Sequence, residues 1–255
     1  MSFLPLNALR EGAKELGIGL SDYQLQQLDF YAQLLVETNK TLNLTRITDP
    51  AEIVTQHYLD SLTCLAAYKV KPGARVIDIG TGAGFPGIPI EIARPDLDLT
   101  LLDSSAKKLK FIEGAAVEIL RSGGSPSPPS RDLDRPLQIT TLHARAEEAG
   151  RDPLHRESYD VAFARALADM KVLAELALPL VKVGGILIAQ KSEGAEEEID
   201  AARPLIGQLG GKIESIKRIP IPSTDITRLL VVISKVKPTP PQFPRPYAKM
   251  IRRAK

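Results

Sequence analysis

Residues 76–87 read VIDIGTGAGFPG, a short apolar run that passes directly into a segment with four glycines. The run Ala74–Ile79 predicts a buried strand, and glycines at a strand end let the backbone turn sharply and approach a ligand closely. Pro86 suits the first turn of a following helix, where a missing N–H costs nothing. The pattern therefore predicts a strand, a ligand-binding loop over Gly80–Gly87 and a helix that continues to Arg94.

Strands and helices alternate after this loop. We predict strands over Asp98–Asp103, Gln138–Leu142, Tyr159–Ala164 and Ile186–Lys191, and helices over Ser104–Leu120 and Asp169–Leu180. Such alternation is typical of a mostly parallel sheet with right-handed crossovers. The last two predicted strands, Lys212–Pro220 and Arg228–Lys235, have no helix between them and predict an antiparallel hairpin. An α/β sheet of seven strands that ends in this way is the Rossmann-like fold of class I S-adenosylmethionine-dependent methyltransferases.

Three further segments complete the predicted organisation. Residues 1–70 read as a helical extension that packs on a methyltransferase domain at 71–236. Ser21 and Gln24 form a capping-box pattern within the extension. Residues 122–136, SGGSPSPPSRDLDRP, predict a flexible surface insertion, and residues 237–255 form a basic, proline-rich tail.

The composition limits the classes of protein that remain. The single cysteine, Cys64, excludes an internal disulfide, and its apolar neighbours predict that it is a core residue. Three histidines without zinc-ligand spacing give no reason to expect a metal. The N-terminus lacks the pattern of a signal peptide, and no apolar run is long enough to span a bilayer. We therefore expect a cytoplasmic protein with no metal and no membrane contact, and a monomer.

The tail is strongly basic, whereas the rest of the chain is mildly acidic. It holds six of the 33 basic residues and no acidic one, which leaves 27 basic against 31 acidic residues in the rest of the chain. Its five prolines predict an extended segment, and its charge predicts contact with RNA phosphates. Its deletion is then expected to flatten the salt dependence of RNA binding and to leave cofactor binding unchanged. The alternative is that Phe243, Tyr247 and Met250 pack on the body.

Two acidic residues indicate which cofactor the glycine loop binds. Gly82, Gly84 and Gly87 also satisfy the dinucleotide-binding pattern, so an NAD-dependent oxidoreductase stays open. Asp78 precedes the first glycine, where methyltransferases place an acid near the methionine ammonium group. Asp103 ends the next strand, where a carboxylate can accept both ribose hydroxyls. The two acids and the terminal hairpin favour S-adenosylmethionine.

Polar residues also follow three later strands. The segment Ala144–Glu148 follows the third strand, Arg165 ends the fourth, and Lys191 ends the fifth. Ligand groups gather at the carboxyl ends of strands in an open α/β sheet. Arg165 lies in an apolar strand–helix junction, a position more typical of a functional arginine than of a structural one.

The chain resembles the small-subunit ribosomal RNA methyltransferase G family, also called glucose-inhibited division protein B. Matches run in family order from about residue 30 to the end of the chain. They are Asn43-Leu44-Thr45, Asp49-Pro50-x-Glu52, His57-x-x-Asp60-Ser61, Asp78–Pro89, Leu102-Asp103-Ser104, Arg145-Ala146-Glu147-Glu148, Arg165-Ala166 and Leu229-x-Val231-Val232-Ile233. The insertion at 122–136 is longer than is usual in the family.

The resemblance implies a function and a set of site residues. It implies that S-adenosylmethionine methylates N7 of one guanosine in the 530 loop of 16S rRNA. With the two acids and the loop, the expected cofactor residues are Asp78, Gly80, Gly82, Phe85, Asp103, Ser104, Ser105, Ala146, Glu147 and Arg165, and Arg165 is the expected catalytic residue. The expected RNA-binding residues are His57, Lys107, Lys108, Arg145 and Lys191. His57 shares one helix face with Asp60 and Ser61, and the alternative for that cluster is a purely structural role.

The implied chemistry agrees with what the sequence contains. Guanine N7 carries a lone pair and no proton, so direct in-line methyl transfer needs neither a general base nor a cysteine nucleophile. Positioning and desolvation would supply most of the catalysis. Two alternatives stay open beside the oxidoreductase: a small-molecule methyltransferase, and a non-catalytic RNA-binding assembly factor with the same fold.

Overall fold

A computed structural model describes residues 2–122 and 139–251 of the chain. Within these ranges, seven strands form one sheet in the order β3-β2-β1-β4-β5-β7-β6. The strands are β1 Arg75–Ile79, β2 Asp98–Asp103, β3 Thr140–His143, β4 Tyr159–Arg165, β5 Val181–Ser192, β6 Gly211–Pro220 and β7 Thr227–Lys235. Strands β1 to β5 pair in parallel, whereas β7 is antiparallel to both β5 and β6. The predicted fold class, including the terminal hairpin, is confirmed.

Helices cover both faces of the sheet. They are α1 Leu6–Glu15, α2 Asp22–Asn39, α3 Pro50–Glu52, a π-helix at Ile53–Leu59, α4 Asp60–Ala67, α5 Gly87–Ala93, α6 Ala106–Ser122, α7 Ala146–Ala149, α8 Met170–Ala177, α9 Glu196–Gln208 and α10 Tyr247–Ile251. Most predicted boundaries differ from these by one to three residues, and the fifth strand starts five residues before its predicted start at Ile186. Three helices, α7, α9 and α10, were not predicted. Gln138, the predicted start of the third strand, lies outside the described residues.

The central strand β1 is buried on both faces. Val76 joins the apolar layer formed with α2, α5 and α6, and Ile77 joins the layer formed with α8 and α9. A strand segment covered on both sides has no solvent-facing residues, which explains why Val76–Ile79 is apolar except for one acid. The packing fixes the carboxyl end of β1, from which the glycine loop starts.

The N-terminal helices pack against the glycine loop and the helix after it. The predicted capping box is present at the start of α2. Gln24 Nε2 donates to the Ile92 carbonyl at 2.6 Å, and Tyr31 Oη donates to the Ala83 carbonyl at 2.8 Å. In α4, Cys64 is fully buried, and this burial raises the pKa of its thiol, so it is a core residue as predicted. No helix in the described part of the chain is long and apolar enough to cross a membrane.

The described part of the tail, residues 237–251, packs on the body. Phe243 and Met250 are buried, and Tyr247 is half-buried. The packing alternative therefore describes this part of the tail. Arg245 forms an ion pair with the buried Glu175, so its positive charge is compensated within the protein. Residues 252–255, with three of the six tail cations, and residues 123–136 of the predicted insertion lie outside the described ranges.

Candidate active site

The glycine loop after β1 is anchored to the end of β2. Gly80 and Thr81 donate their backbone N–H groups to the Leu102 carbonyl, at 2.8 and 3.0 Å. Gly80, Gly82 and Gly84 have φ angles of 72°, 60° and 87°. This is the left-handed region, in which a side chain costs free energy, so the spacing of the glycines follows from the backbone path of the loop.

Asp78 connects the end of β1 to the end of the glycine loop. Its Oδ2 accepts a hydrogen bond from the Gly87 backbone N–H at 2.9 Å, at the start of α5. Burial raises the pKa of Asp78 to about 6, and the Gly87 hydrogen bond partly offsets this rise. Asp78 is fully buried and lines neither of the two cavities at this edge of the sheet. Its predicted place beside the methionine ammonium group stays a prediction.

The first cavity has a volume of about 290 Å³ and lies at the carboxyl ends of β1, β2 and β3. Asp103 reaches it from the end of β2. The Asp103 carboxylate accepts from the Gly82 backbone N–H and from the Ser105 backbone N–H, each at 2.8 Å. The cavity is lined by Gly80, Gly82, Leu102, Asp103, Ser104, Lys108, Ala144, Arg145, Ala146, Glu147, Leu167, Leu176 and Tyr247.

One wall of this cavity comes from α7 and the residue before it. Arg145 Nε donates to Glu147 Oε1 at 2.6 Å, and the Arg145 guanidinium lies 5.2 Å from the centroid of the Tyr247 ring. The parallel pairing of β2 and β3 brings this wall opposite Asp103. The structure thus assembles Asp103, Ala146 and Glu147, which the sequence analysis predicted as cofactor residues from separate motifs.

The lysines predicted to meet RNA lie on the first turn of α6. Lys108 is half-buried and lines the first cavity, whereas Lys107 is exposed. Ser105 lies just before this helix, and its backbone N–H is directed to Asp103. Contact of either lysine with RNA stays a prediction.

A second cavity, of about 310 Å³, lies beside the first at the ends of β4 and β5. Ala166 lines the second cavity and its neighbour Leu167 lines the first, so the two cavities adjoin at the end of β4. Ala166 has a φ of 51°, an uncommon backbone conformation for a residue with a side chain. The second cavity is lined by Ile47, Gln56, His57, Asp60, Arg165, Ala166, Gln190, Lys191, Ser192 and Arg228.

The Asp60 carboxylate is the hydrogen-bonding centre of the second cavity. It is 2% exposed and accepts from Arg165 Nη1 at 2.7 Å, from Gln190 Nε2 at 2.7 Å and from Arg228 Nε at 2.8 Å. Arg165 also donates to the Gln56 carbonyl at 3.2 Å. A buried carboxylate with two cationic partners fixes both guanidinium groups at the cavity wall.

His57 forms another part of this wall. Its ring stacks on Phe85 with centroids 4.3 Å apart, and its Nε2 lies 2.9 Å from Thr45 Oγ1. Burial and the positive charge of Arg165 lower the pKa of His57 to about 3, so the imidazole is neutral at physiological pH. Ser61 points back to the His57 carbonyl, so the predicted three-residue face contributes only His57 and Asp60 to the cavity.

Phe85 lies beneath the wall of the second cavity, and Lys191 lines the cavity itself. Phe85 is 5% exposed and lies under His57 and Arg165, with the Arg165 guanidinium 5.6 Å from its ring centroid. Lys191 lines the cavity, but its Nζ donates to the Ala168 carbonyl at 2.8 Å and pairs with Glu198 at 2.6 Å. The ammonium group of Lys191 is therefore held within the protein, and its predicted RNA contact stays a prediction.

Arg228 and Tyr247 are two of the cavity-lining residues that were not predicted as site residues. Arg228 lies near the start of β7, opposite Ser192. An antiparallel strand begins at the edge where the parallel strands end, so the predicted hairpin already contained the signal that Arg228 reaches the site. Tyr247 had no such signal, because its position depends on how the tail folds back.

No group of three or more His, Cys, Asp or Glu side chains among the described residues is arranged to hold a metal ion. The polar groups of both cavities are instead suited to organic ligands, with carboxylates, guanidinium groups and backbone turns.

Comparisons with known proteins agree with this geometry. The family described as rRNA small subunit methyltransferase G matches residues 24–122 and 132–226. A protein of Alkaliphilus metalliredigens named ribosomal RNA small subunit methyltransferase G is 44% identical over 237 residues, which cover 93% of each chain. A protein of the same name from Pelotomaculum thermopropionicum is 43% identical over 238 residues, again 93% of each chain. The crystal structure of the YcgJ protein from Bacillus subtilis matches with a TM-score of 0.50 at 12% identity, over 71% of this chain and 100% of that one, which is a likeness of fold alone.

Proposed function

Because the chain belongs to the rRNA small subunit methyltransferase G family, we propose that it methylates N7 of one guanosine in the 530 loop of 16S rRNA. It is an S-adenosylmethionine-dependent rRNA methyltransferase with the class I fold. The observation that carries the finer proposal is the pair of adjoining cavities, one suited to the cofactor and one suited to a purine base.

The first cavity fits S-adenosylmethionine. Its volume of about 290 Å³ is near the lower end of the range for small-molecule sites. Asp103 presents a carboxylate to the cavity that can accept hydrogen bonds from hydroxyl groups. Gly82, which has no side chain, leaves room for a ligand to approach the loop closely. Ala146, Leu176 and Tyr247 give an apolar and aromatic slot for a flat ring. When bound, S-adenosylmethionine supplies an electrophilic methyl group.

The second cavity suits a guanine that reacts at N7. Guanine offers O6 as an acceptor beside N7, and the Arg165 and Arg228 guanidinium groups supply donors at the wall that can bind O6 and leave the N7 lone pair free to react. Asp60 is occupied by its three partners, and the pKa of His57, lowered to about 3, makes its imidazole a weak proton acceptor, so neither is arranged as a general base. The lone pair of N7 needs no base. These features support N7 over the amino and imino nitrogens, which lose a proton when they are methylated.

The position of the methyl group tests the proposal directly. Ribosomal RNA from a strain that lacks this protein should accept labelled methyl groups in vitro, and strand scission specific for 7-methylguanosine should cut once, in the 530 loop. Ribosomal RNA from the parent strain is the control, because its site is already methylated. Label at another base, or label that resists the scission chemistry, would contradict N7 while leaving rRNA methylation intact.

Asp103→Ala should weaken the binding of S-adenosylmethionine by about 1.5–3 kcal/mol, the range for hydrogen bonds to a charged group. The carboxylate lies at the cavity and also holds the Gly82 N–H, so both the ribose contact and the loop depend on it. Calorimetry gives the change in dissociation constant. Asp98→Ala is the matched control, because Asp98 lies at the exposed, opposite end of the same strand. An unchanged dissociation constant in Asp103→Ala would mean that the cofactor lies elsewhere.

A further inference from the structure

We propose that Tyr247 of the C-terminal segment, Thr239–Ile251, belongs to the cofactor site, where its ring forms one face of the slot that holds the adenine. The inference rests on the assignment of the first cavity to S-adenosylmethionine. It differs from the expectation that the tail contributes only RNA contacts and that its loss leaves cofactor binding unchanged.

Tyr247 reaches the cavity from the tail, beyond the last strand β7. It lines the cavity together with Ala146 and Leu176, and the Arg145 guanidinium lies 5.2 Å from its ring centroid. A half-buried aromatic ring beside small apolar groups presents a flat surface on which a purine can stack. The other ligand class that such a slot could take, a single RNA base, would bind without Asp103.

Contacts on both sides of Tyr247 fix its position. Two residues before it, Arg245 donates from its backbone N–H and from Nε to Glu175 Oε1, each at 2.8 Å. Three residues after it, Met250 is 2% exposed and packs with Val172 and Leu176 of α8. The ring is therefore anchored to the same helix that supplies Leu176 to the cavity.

The segment is also tied to the chain that follows α7. Arg151 Nε donates to the Pro244 carbonyl at 2.8 Å. Arg156 donates to the carbonyls of Phe243 at 2.8 Å and Thr239 at 2.7 Å. Since α7 carries Ala146 and Glu147 of the cavity wall, docking of the tail and the shape of the cavity are coupled. Coupling of this kind is reciprocal, so a bound cofactor should stabilise the docked tail.

Calorimetry with S-adenosylhomocysteine, the stable demethylated product, tests the role of the ring. Tyr247→Ala should weaken binding by about 5- to 150-fold, the range for loss of one base–aromatic stack, and Tyr247→Phe should bind nearly as the parent does. Lys249→Ala is the matched control, because Lys249 is exposed on the same short helix. Wild-type affinity in a Tyr247→Ala protein with an unchanged melting temperature would overturn the proposal.

Limited trypsin digestion of the unaltered protein gives a second result that does not depend on a variant's folding. S-adenosylhomocysteine should slow cleavage after Lys249, and equal cleavage with and without it would also overturn the proposal. Asp103→Ala separates this inference from the cofactor assignment. If Asp103→Ala loses affinity and Tyr247→Ala does not, only the role of the tail is wrong. If neither loses affinity, the cavity itself is wrongly assigned.

Discussion

Arg165→Ala is expected to lower the rate of methyl transfer by about 100- to 1000-fold, the range for loss of one preorganised donor at a reacting centre. The Arg165 side chain is 15% exposed and lies at the end of β4, where the two cavities adjoin. The melting temperature should change by only a few degrees, because Asp60 keeps Arg228 and Gln190 as partners after Arg165 is removed. The measurements are single-turnover methylation of rRNA and thermal unfolding of the same preparations.

Two further variants distinguish this catalytic role from a structural one. Arg228→Ala removes the other cation from the same carboxylate, so its melting temperature shows how much stability the loss of one cationic partner of Asp60 costs. Arg165→Lys keeps a positive charge next to Asp60 but loses the planar fork of donors, and should recover stability without recovering the rate. Equal losses of rate and melting temperature in Arg165→Ala and Arg165→Lys would identify Arg165 as a structural arginine.

The parts of the fold that were predicted are those with a local signal. The run around Asp78 and the strand Asp98–Asp103 are buried on both faces, so their composition alone identifies them as strands. The antiparallel end of the sheet followed from two predicted strands without a helix between them. Because ligands gather at the carboxyl ends of such strands, the positions of Asp103 and Arg165 followed from the same pattern.

The local signals of α9 conflict, because glutamates favour a first helical turn whereas an internal proline does not, and this helix was missed. It starts with three consecutive glutamates and contains Pro204. Tertiary packing decides its structure, since Ile199, Ala202 and Ile206 are buried against the sheet. Because α9 was not predicted, the ion pair of Lys191 with Glu198 on α9 was not predicted either. A lysine whose partner is seven residues away on an unpredicted helix reads from sequence as a free cation.

The network around Asp60 could be predicted only in part. The spacing of His57 and Asp60 placed them on one helix face, but the widened π-helical turn over Ile53–Leu59 was not visible in the sequence. The partners of Asp60 are more than 100 residues away in the chain, at the ends of β4, β5 and β7. Which residues meet across that distance depends on strand order, which sequence periodicity does not specify.

Arg245→Ala is expected to lower the free energy of unfolding by about 3–5 kcal/mol, the cost of leaving one member of a buried ion pair without its partner. Glu175 is fully buried, whereas the Arg245 side chain is 21% exposed. Glu175 therefore depends on Arg245 to compensate its charge. The converse variant, Glu175→Gln, should cost less, since Arg245 is close enough to the surface to turn toward water. Urea titration of both proteins measures the two free energies.

Replacing both Arg245 and Glu175 tests whether the uncompensated charge of Glu175 alone causes the loss of stability in Arg245→Ala. The double variant Glu175→Leu with Arg245→Leu should recover most of the stability lost in Arg245→Ala, because it leaves no buried charge without a partner. Arg203→Ala is the control, since Arg203 forms an exposed pair with Asp200 and should cost less than about 1 kcal/mol. If Arg245→Ala costs no more than Arg203→Ala, this pair does not anchor the tail. The Arg151 and Arg156 hydrogen bonds to the tail carbonyls would then have to hold Tyr247 at the cavity without it.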